Sequence, residues 1–590
     1  MENTRNIHKG ELVQKISFNH VIVLSALLLA SHSASADSSN SNRQSGLVSD
    51  KRDRSPQGIN NGIENRRTNV LKRFERNFYT PKRIGGKEVR QFDGTSNNRK
   101  NPTWGGSFQH LQRLADADYG DGVSTLAGAS RKGAREISNI VFSQDQSENI
   151  PNSFNTSDYI WQWGQFIDHD VGLTDGSTGE PINILVAQGD LFAPEIPVNR
   201  AIFDPDTGTD PGNPREQENE ITSWIDGSMV YGSSDERASA LRKGPDSPFL
   251  LTSEGNLLPF NSRGLANASG PIREPADLFL AGDVRVNEQI GLTAMHTLFV
   301  REHNRVARQI QDQFPRRTAE EIFQSARRVV IAQIQKITYD EFLPALLGPN
   351  TMPRYRGYKS NIRPDMFNEF TVAAYRFGHS SLSPNIRSID ENGNENPIQL
   401  RDAFFNAHNI FTEEDSIDPV LRGLAKQKHQ AIDSKVVDDL RNFLFGRPEN
   451  GGFDLVSLNI QRGRDHGVAS YNDTREALGL SRATLFTDIT TDENVESALI
   501  DAYGDVDNID LWVGGLAEDP LKSKGSQLGE LFTTIVVRQF DAIRAADRFW
   551  HERDLQGTER KFVRNTTLSD VIRNNTNIGN ELQSNVFFVQ

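Results

Sequence analysis

The sequence predicts a mainly α fold, one large helical domain with few short strands, and three observations carry this. Apolar residues recur at helical spacing, strand-like alternation is scarce, and beyond residue 90 no internal repeat and no linker longer than a turn cluster divides the chain. The stretch Gly291 to Asp312 is Pro-free, with Leu292, Met295, Leu298, Phe299 and Val306 on one helical face. Ala319 to Leu343, Val436 to Phe445 and Leu528 to Trp550 show the same pattern and are predicted as helices. Asp204 to Pro214 (DPDTGTDPGNP) is predicted as a surface loop, because Pro205 and the position of Gly208 break the spacing of a helix–loop–helix calcium site.

Composition limits the chemistry. The net charge of −14 argues against a duplex-DNA binder, which needs a cationic face to neutralise phosphates. With no cysteine, thiol catalysis, iron–sulfur clusters, Cys-type zinc sites and disulfides are excluded. Any metal must rest on His, Asp, Glu, hydroxyls or carbonyls.

The first 36 residues read as a secretory signal. Arg5, Lys9 and Lys15 precede the apolar run VIVLSALLLA (21–30), and Ala34-Ser35-Ala36 supplies a small-x-small cleavage pattern. Ten apolar residues are too few to cross a hydrocarbon core of about 30 Å. Residues 37–85 are rich in Ser, Asn and charge, and residues 51–90 carry 12 Lys/Arg against 4 Asp/Glu. This segment reads as a flexible basic leader, with a tether to an anionic surface or a removable pro-segment as alternatives. Residues 86–590 form the predicted domain, expected to be extracytoplasmic, monomeric and without a membrane span or a nucleic-acid partner.

Without cysteine, redox or metal chemistry must be sought among the histidines. His169 lies in WGQFIDHD, where Gln165 and His169 fall four apart on one helix face and form a polar pocket suited to water or peroxide. The neighbouring Asp168 and Asp170 require cations or covalent partners if buried. Downstream, Thr222, Trp224, Asp226 and Ser228 offer oxygens at alternate positions, a set that suits a hard cation with Asp170 completing it, although such a run is also an ordinary turn. Arg285 and Glu288 are three apart, which fits an intrahelical ion pair. In Tyr375-Arg376-Phe377-Gly378-His379 the glycine lets a flat ligand approach the imidazole, and Asn459-Ile-Gln-Arg462-Gly-Arg464-Asp-His466 is polar and charged after an apolar run.

Together, in this order, the strings WGQFIDHD, TSWIDGSMVYG, REHNR and NIQRGRDHG closely resemble the animal-type haem peroxidases, and the likeness spans nearly all of the chain beyond residue 90. The resemblance implies a helical domain around a buried haem, hydrogen peroxide as oxidant, and small anionic or phenolic donors. It implies His169 as distal base, Arg285 as distal cation and Gln165 as the amide ordering water or halide. It further implies His379 as proximal iron ligand held by the Asn459 side-chain carbonyl, and Arg376 and Arg462 as partners of the haem propionates. Asp168 and Glu288 match carboxylates esterified to the haem, a haem b derivative. Asp170, Thr222, Trp224, Asp226 and Ser228 match the calcium site.

Two departures carry meaning. Gln289 stands where some members form a methionine–haem sulfonium link, so bromide, iodide and thiocyanate are expected in preference to chloride. The missing structural cysteines place the chain with bacterial members. The alternatives are a haem fatty-acid dioxygenase of the same superfamily or an adhesion or matrix protein on a peroxidase scaffold. The dioxygenases carry a radical-forming tyrosine three residues before the proximal His, where this chain has Arg376; Tyr375 is one residue off and is expected to miss the substrate channel.

Overall fold

Helix Tyr159–Val171 (α1) runs through the interior of the computed structural model, which describes residues 83–590 apart from 145–148, 270–273 and 449–450. The export signal lies outside the described residues, as does the basic leader up to residue 82. The indole of Trp163 on α1 sits among Phe166, Phe299 and Phe587 at 5.7–6.2 Å between ring centroids. Trp163, Phe166 and Phe299 are fully buried, and burying each such side chain contributes roughly 1.5–3 kcal/mol.

The predicted long helices are present. Ile290–Gln313 (α2) buries Leu292, Met295, Leu298, Phe299 and Val306, and the Gln289 side chain caps its start. Ala319–Ile337 (α3) packs against α2 and opens with a reciprocal capping box between Thr318 and Glu321. It passes into a wider π turn, Thr338–Phe342, before restarting at Leu343–Leu347, where Pro344 has no N–H to return to the preceding turn. Leu455–Asp465 (α4) carries Asn459 and Arg462 and is capped by Asp454.

Two predicted helices are shorter than their patterns. Glu530–Ala546 (α5) stops before Asp547, whose carboxylate is held by Arg90 at 2.5 Å, Asn97 at 2.8 Å and Gln335 at 3.0 Å. Those bonds fix an extended backbone there and end the helix. Within Val436 to Phe445 only Asp438–Arg441 is helical: Leu444 pairs with Phe453, and Phe445 turns the chain with φ 63°. The apolar spacing there reflects burial of a turning segment.

Strands among the described residues form five two-stranded antiparallel pairs, such as Gln109–His110 with Glu218–Asn219. The segment 204–214 is a loop, as predicted, joined to the first pair by His110 on Asp204 at 2.7 Å. Among the described residues no helix is long and apolar enough to cross a membrane.

Candidate active site

Helix α1 brings Gln165, Asp168 and His169 to one cavity, and the turn before α2 brings Glu288 and Gln289 to the same wall. The further contributors are Tyr375, Arg376 and His379 from the short helical turns Ala374–Phe377 and Gly378–Ser381, with Leu382, Phe404 and Leu455 among the apolar lining. Segments separated by up to about three hundred residues therefore meet at one cavity.

The polar wall is networked through amides. Gln165 donates from Nε2 to Glu288 at 2.9 Å, and Gln289 donates to Gln162 at 2.6 Å and Gln165 at 3.0 Å. The Gln289 carbonyl accepts from the Gly291 N–H at 2.6 Å, so this residue is locked as a helix cap. Burial lifts the Glu288 carboxyl to about 8, so it carries its proton at neutral pH.

His169 is buried, its Nε2 3.9 Å from Glu288 and its Nδ1 3.6 Å from Asp283; neither ring nitrogen has a hydrogen-bond partner. Burial, with the Arg285 cation beside it, holds its pKa well below the usual histidine value, so the ring is a neutral base. Arg285 stands immediately behind the cavity wall, its Nη1 3.6 Å from Asp168. Its ion partner is Asp283, not Glu288: Nε and Nη2 reach that carboxylate at 2.7 and 2.8 Å. The expected Arg285–Glu288 pair fails because residues 285–288 form a turn and Glu288 is taken by Gln165. Asp283 was within reach of sequence reasoning through its i, i+2 relation to Arg285, but acidic neighbours of arginine are too common to single one out.

His379 also lines the cavity, and burial, reinforced by Arg376, lowers its pKa to about 3, so the ring is neutral. Asn459 does hold it, with one correction. The Asn459 carbonyl accepts from Arg376 Nη1 at 2.6 Å, so its amide nitrogen, not its oxygen, lies 2.7 Å from His379 Nδ1. A guanidinium can only donate and therefore claims the carbonyl. Arg462 lies off the cavity wall, on Asp465 at 2.5 Å and the Asn199 carbonyl at 3.0 Å, with Nε unpartnered. Tyr375 also departs from expectation. Set in a 3-10 turn, it lines the cavity with its hydroxyl unpartnered.

The candidate cation cluster adjoins His169. Asp170 accepts from the Ser228 N–H at 2.5 Å, the Ser228 hydroxyl at 2.9 Å and the Gly227 N–H at 3.1 Å, and Thr222 donates to Asp226 at 3.1 Å. Gly227 has φ 73°, which favours glycine at this close turn. Trp224 is buried, its indole N–H on the Gly94 carbonyl at 3.0 Å. Burial and mutual repulsion raise Asp170 well above the carboxylate range, burial lifts Asp226 to about 6, and one Asp226 oxygen has no partner. Two buried carboxylates with a spare oxygen suit a divalent cation.

The cavity likewise suits a flat, iron-bearing macrocycle: an apolar lining, the neutral imidazoles of His379 and His169, and the unpartnered Glu288 Oε1 in its wall, with Arg285 Nη1 behind it. A helical domain around such a cavity defines a haem-type oxidoreductase. The sequence matches the animal haem peroxidase family over residues 89–587, and the chain belongs to that family. Peroxinectin A of Dictyostelium discoideum is 37% identical over 525 residues, covering 85% of this chain and 96% of its own. The solved structure of peroxidase A from the same organism superposes with a TM-score of 0.79 at 35% identity, covering 85% of this chain and all of the other. A fatty acid α-dioxygenase from Oryza sativa gives a TM-score of 0.73 at 21% identity, over 89% of this chain and 92% of its own, a likeness of fold alone. Membership implies a haem cofactor and peroxidase chemistry.

Proposed function

We propose that the protein reduces hydrogen peroxide and oxidises bromide, iodide, thiocyanate and small phenols in preference to chloride. The observation that carries this reading is the buried pair His169 and Arg285, one a neutral base with unpartnered nitrogens and the other a cation with a spare Nη1. His169 would take a proton from one oxygen of peroxide and return it to the other, which leaves as water, while haem, when bound, would supply the two electrons that O–O cleavage consumes. Arg285 stabilises the negative charge that grows on the leaving oxygen. Gln165, fixed by Glu288 and Gln289, orders water or halide beside them. Haem, when bound, would supply the redox-active iron, and His379 is the residue that would hold it.

In this reading Asp168 and Glu288 would hold the haem as esters of its methyl groups, hydrogen peroxide taking the two electrons and two protons each ester releases and leaving as water, which would remove two carboxyls from a poorly solvated wall. Arg376, which burial lowers to about 9, lines the cavity and is the residue assigned to a propionate. Calcium at Asp170, Thr222, Trp224, Asp226 and Ser228 holds α1 in place one residue from the base. Gln289 supports weak chloride oxidation, since an amide forms no sulfonium. Residues 1–36 direct export, and 37–85 precede the domain as a basic leader.

The test is an absorption spectrum of the purified chain with and without peroxide and each halide. A Soret band lost in His379→Ala, and bromination far exceeding chlorination at neutral pH, is the expected result. A normal spectrum in that variant would remove the axial assignment, and robust chlorination would remove the halide preference.

A further inference from the structure

We propose that Asp283 is a positioning residue whose one buried carboxylate clamps Arg285 and biases the tautomer of His169, thereby choosing the atoms that meet peroxide. The proposal rests on the peroxidase reading and goes beyond it, because Asp283 does not line the cavity and acts through its two neighbours.

Arg285 enters a two-pronged clamp. Its Nε donates to Asp283 Oδ1 at 2.7 Å and its Nη2 to Oδ2 at 2.8 Å, and Nη2 also donates to the Gly172 carbonyl at 3.0 Å. The Arg285 backbone N–H reaches Oδ1 at 2.8 Å, so main chain and side chain are held by one carboxylate. These bonds leave Nη1 alone without a hydrogen-bond partner. Nη1 already faces Asp168 at 3.6 Å, an ion contact longer than a hydrogen bond, and a guanidinium free to swing on its flexible stem would collapse onto that carboxyl. The fork geometry prevents this collapse and keeps one terminal nitrogen available.

The same Oδ1 lies 3.6 Å from His169 Nδ1. A carboxylate on that side favours the tautomer protonated at Nδ1, which leaves the Nε2 lone pair, on the Glu288 side, to act as base. Asp283 is itself seated firmly. Its N–H donates to the Met229 carbonyl at 3.2 Å, and a Cβ on the preceding Gly282 would fall 2.2 Å from the Ser228 carbonyl oxygen. Only glycine permits this approach, which ties Asp283 to the segment that follows Asp226. Its side chain is 1% exposed.

A merely structural ion pair would affect melting and leave ligand chemistry alone. The experiment therefore uses full-length haem-loaded enzyme carrying Asp283→Asn or Asp283→Glu, with cyanide as probe. Cyanide enters as a weak acid, gives its proton to a base and is held by a cation, so its Kd reads the pair without turnover. The expected result for Asp283→Asn is an unchanged Soret band, a cyanide Kd raised about tenfold and kcat/KM for peroxide lowered about 100-fold, with the KM for a phenolic donor steady. Asp283→Glu, which keeps the charge, should recover part of both losses. Cyanide affinity and peroxide reactivity within about twofold of the parent in Asp283→Asn would overturn the proposal, even if the melting temperature fell. If neither variant loads haem, Asp283 is a fold anchor and the proposal is equally overturned. A parent chain that binds no haem would instead overturn the peroxidase reading itself.

Discussion

Gln165 donates its side-chain N–H to the Glu288 carboxyl at 2.9 Å, joining α1 to the turn that starts α2 across the cavity wall. The contact orients a carboxyl that burial keeps protonated up to about pH 8. A neutral acid next to an apolar lining makes Glu288 a reporter of cavity filling.

In haem-free protein Glu288 should make stability pH-dependent. Its pKa is raised from 4.5 in the unfolded chain to about 8 in the folded one. The folded state thus binds the proton more tightly, and this stabilisation is complete below pH 4.5 and lost as pH rises through about 8. The slope is at most about 1.4 kcal/mol per pH unit. Denaturant unfolding of the apoprotein across that window should show the decline, and Glu288→Gln should flatten it; equal slopes would show that Glu288 is not the group responsible.

Esterification through both carboxyls predicts that acid-acetone fails to extract haem after peroxide treatment. Asp168→Asn and Glu288→Gln should each leave one link, and the double variant should release the haem cleanly. Extraction of all haem from the treated parent would show both carboxyls to be free acids.

Chelation tests the cation cluster. A bound cation at a hundredfold excess over its Kd stabilises by about 2.7 kcal/mol, so EDTA should lower the melting temperature of the parent and leave Asp226→Asn nearly unmoved. Metal analysis of the parent should find calcium. Identical EDTA responses in parent and variant would dissociate the cluster from calcium.

Several of these groups were legible in the sequence because their chemistry is local. Gln165 and His169 are one helical turn apart, and the Asp170–Ser228 cluster lies in two contiguous strings. What was not legible depended on competition for partners across the fold. Asn459 presents its amide nitrogen to His379 because Arg376, 83 positions away, claims the carbonyl. Helix α5 ends early because Asp547 is fastened to Arg90 and Asn97 at the other end of the chain. Periodicity records which residues are buried, but not whether the backbone burying them is α-helical, 3-10 or extended, and Tyr375 and Phe445 fall in that gap.

Tyr375 separates the two enzyme readings. Its ring stacks on Phe370 at 4.6 Å between centroids and touches Phe540 at 5.6 Å, while its hydroxyl meets no hydrogen-bond partner at the cavity wall. An unpaired buried hydroxyl costs stability, so Tyr375→Phe should melt no lower than the parent. For a peroxidase, whose base and cation are His169 and Arg285, the substitution should leave peroxide-dependent bromide oxidation within about twofold, since it removes no general-acid or charge-stabilising group. A dioxygenase would need the phenol as its hydrogen-abstracting radical. An oxygen electrode with a long-chain fatty acid should therefore record no uptake by the parent. Rapid uptake that vanishes in Tyr375→Phe would reverse the assignment, because the residue would then sit where the substrate carbon is attacked.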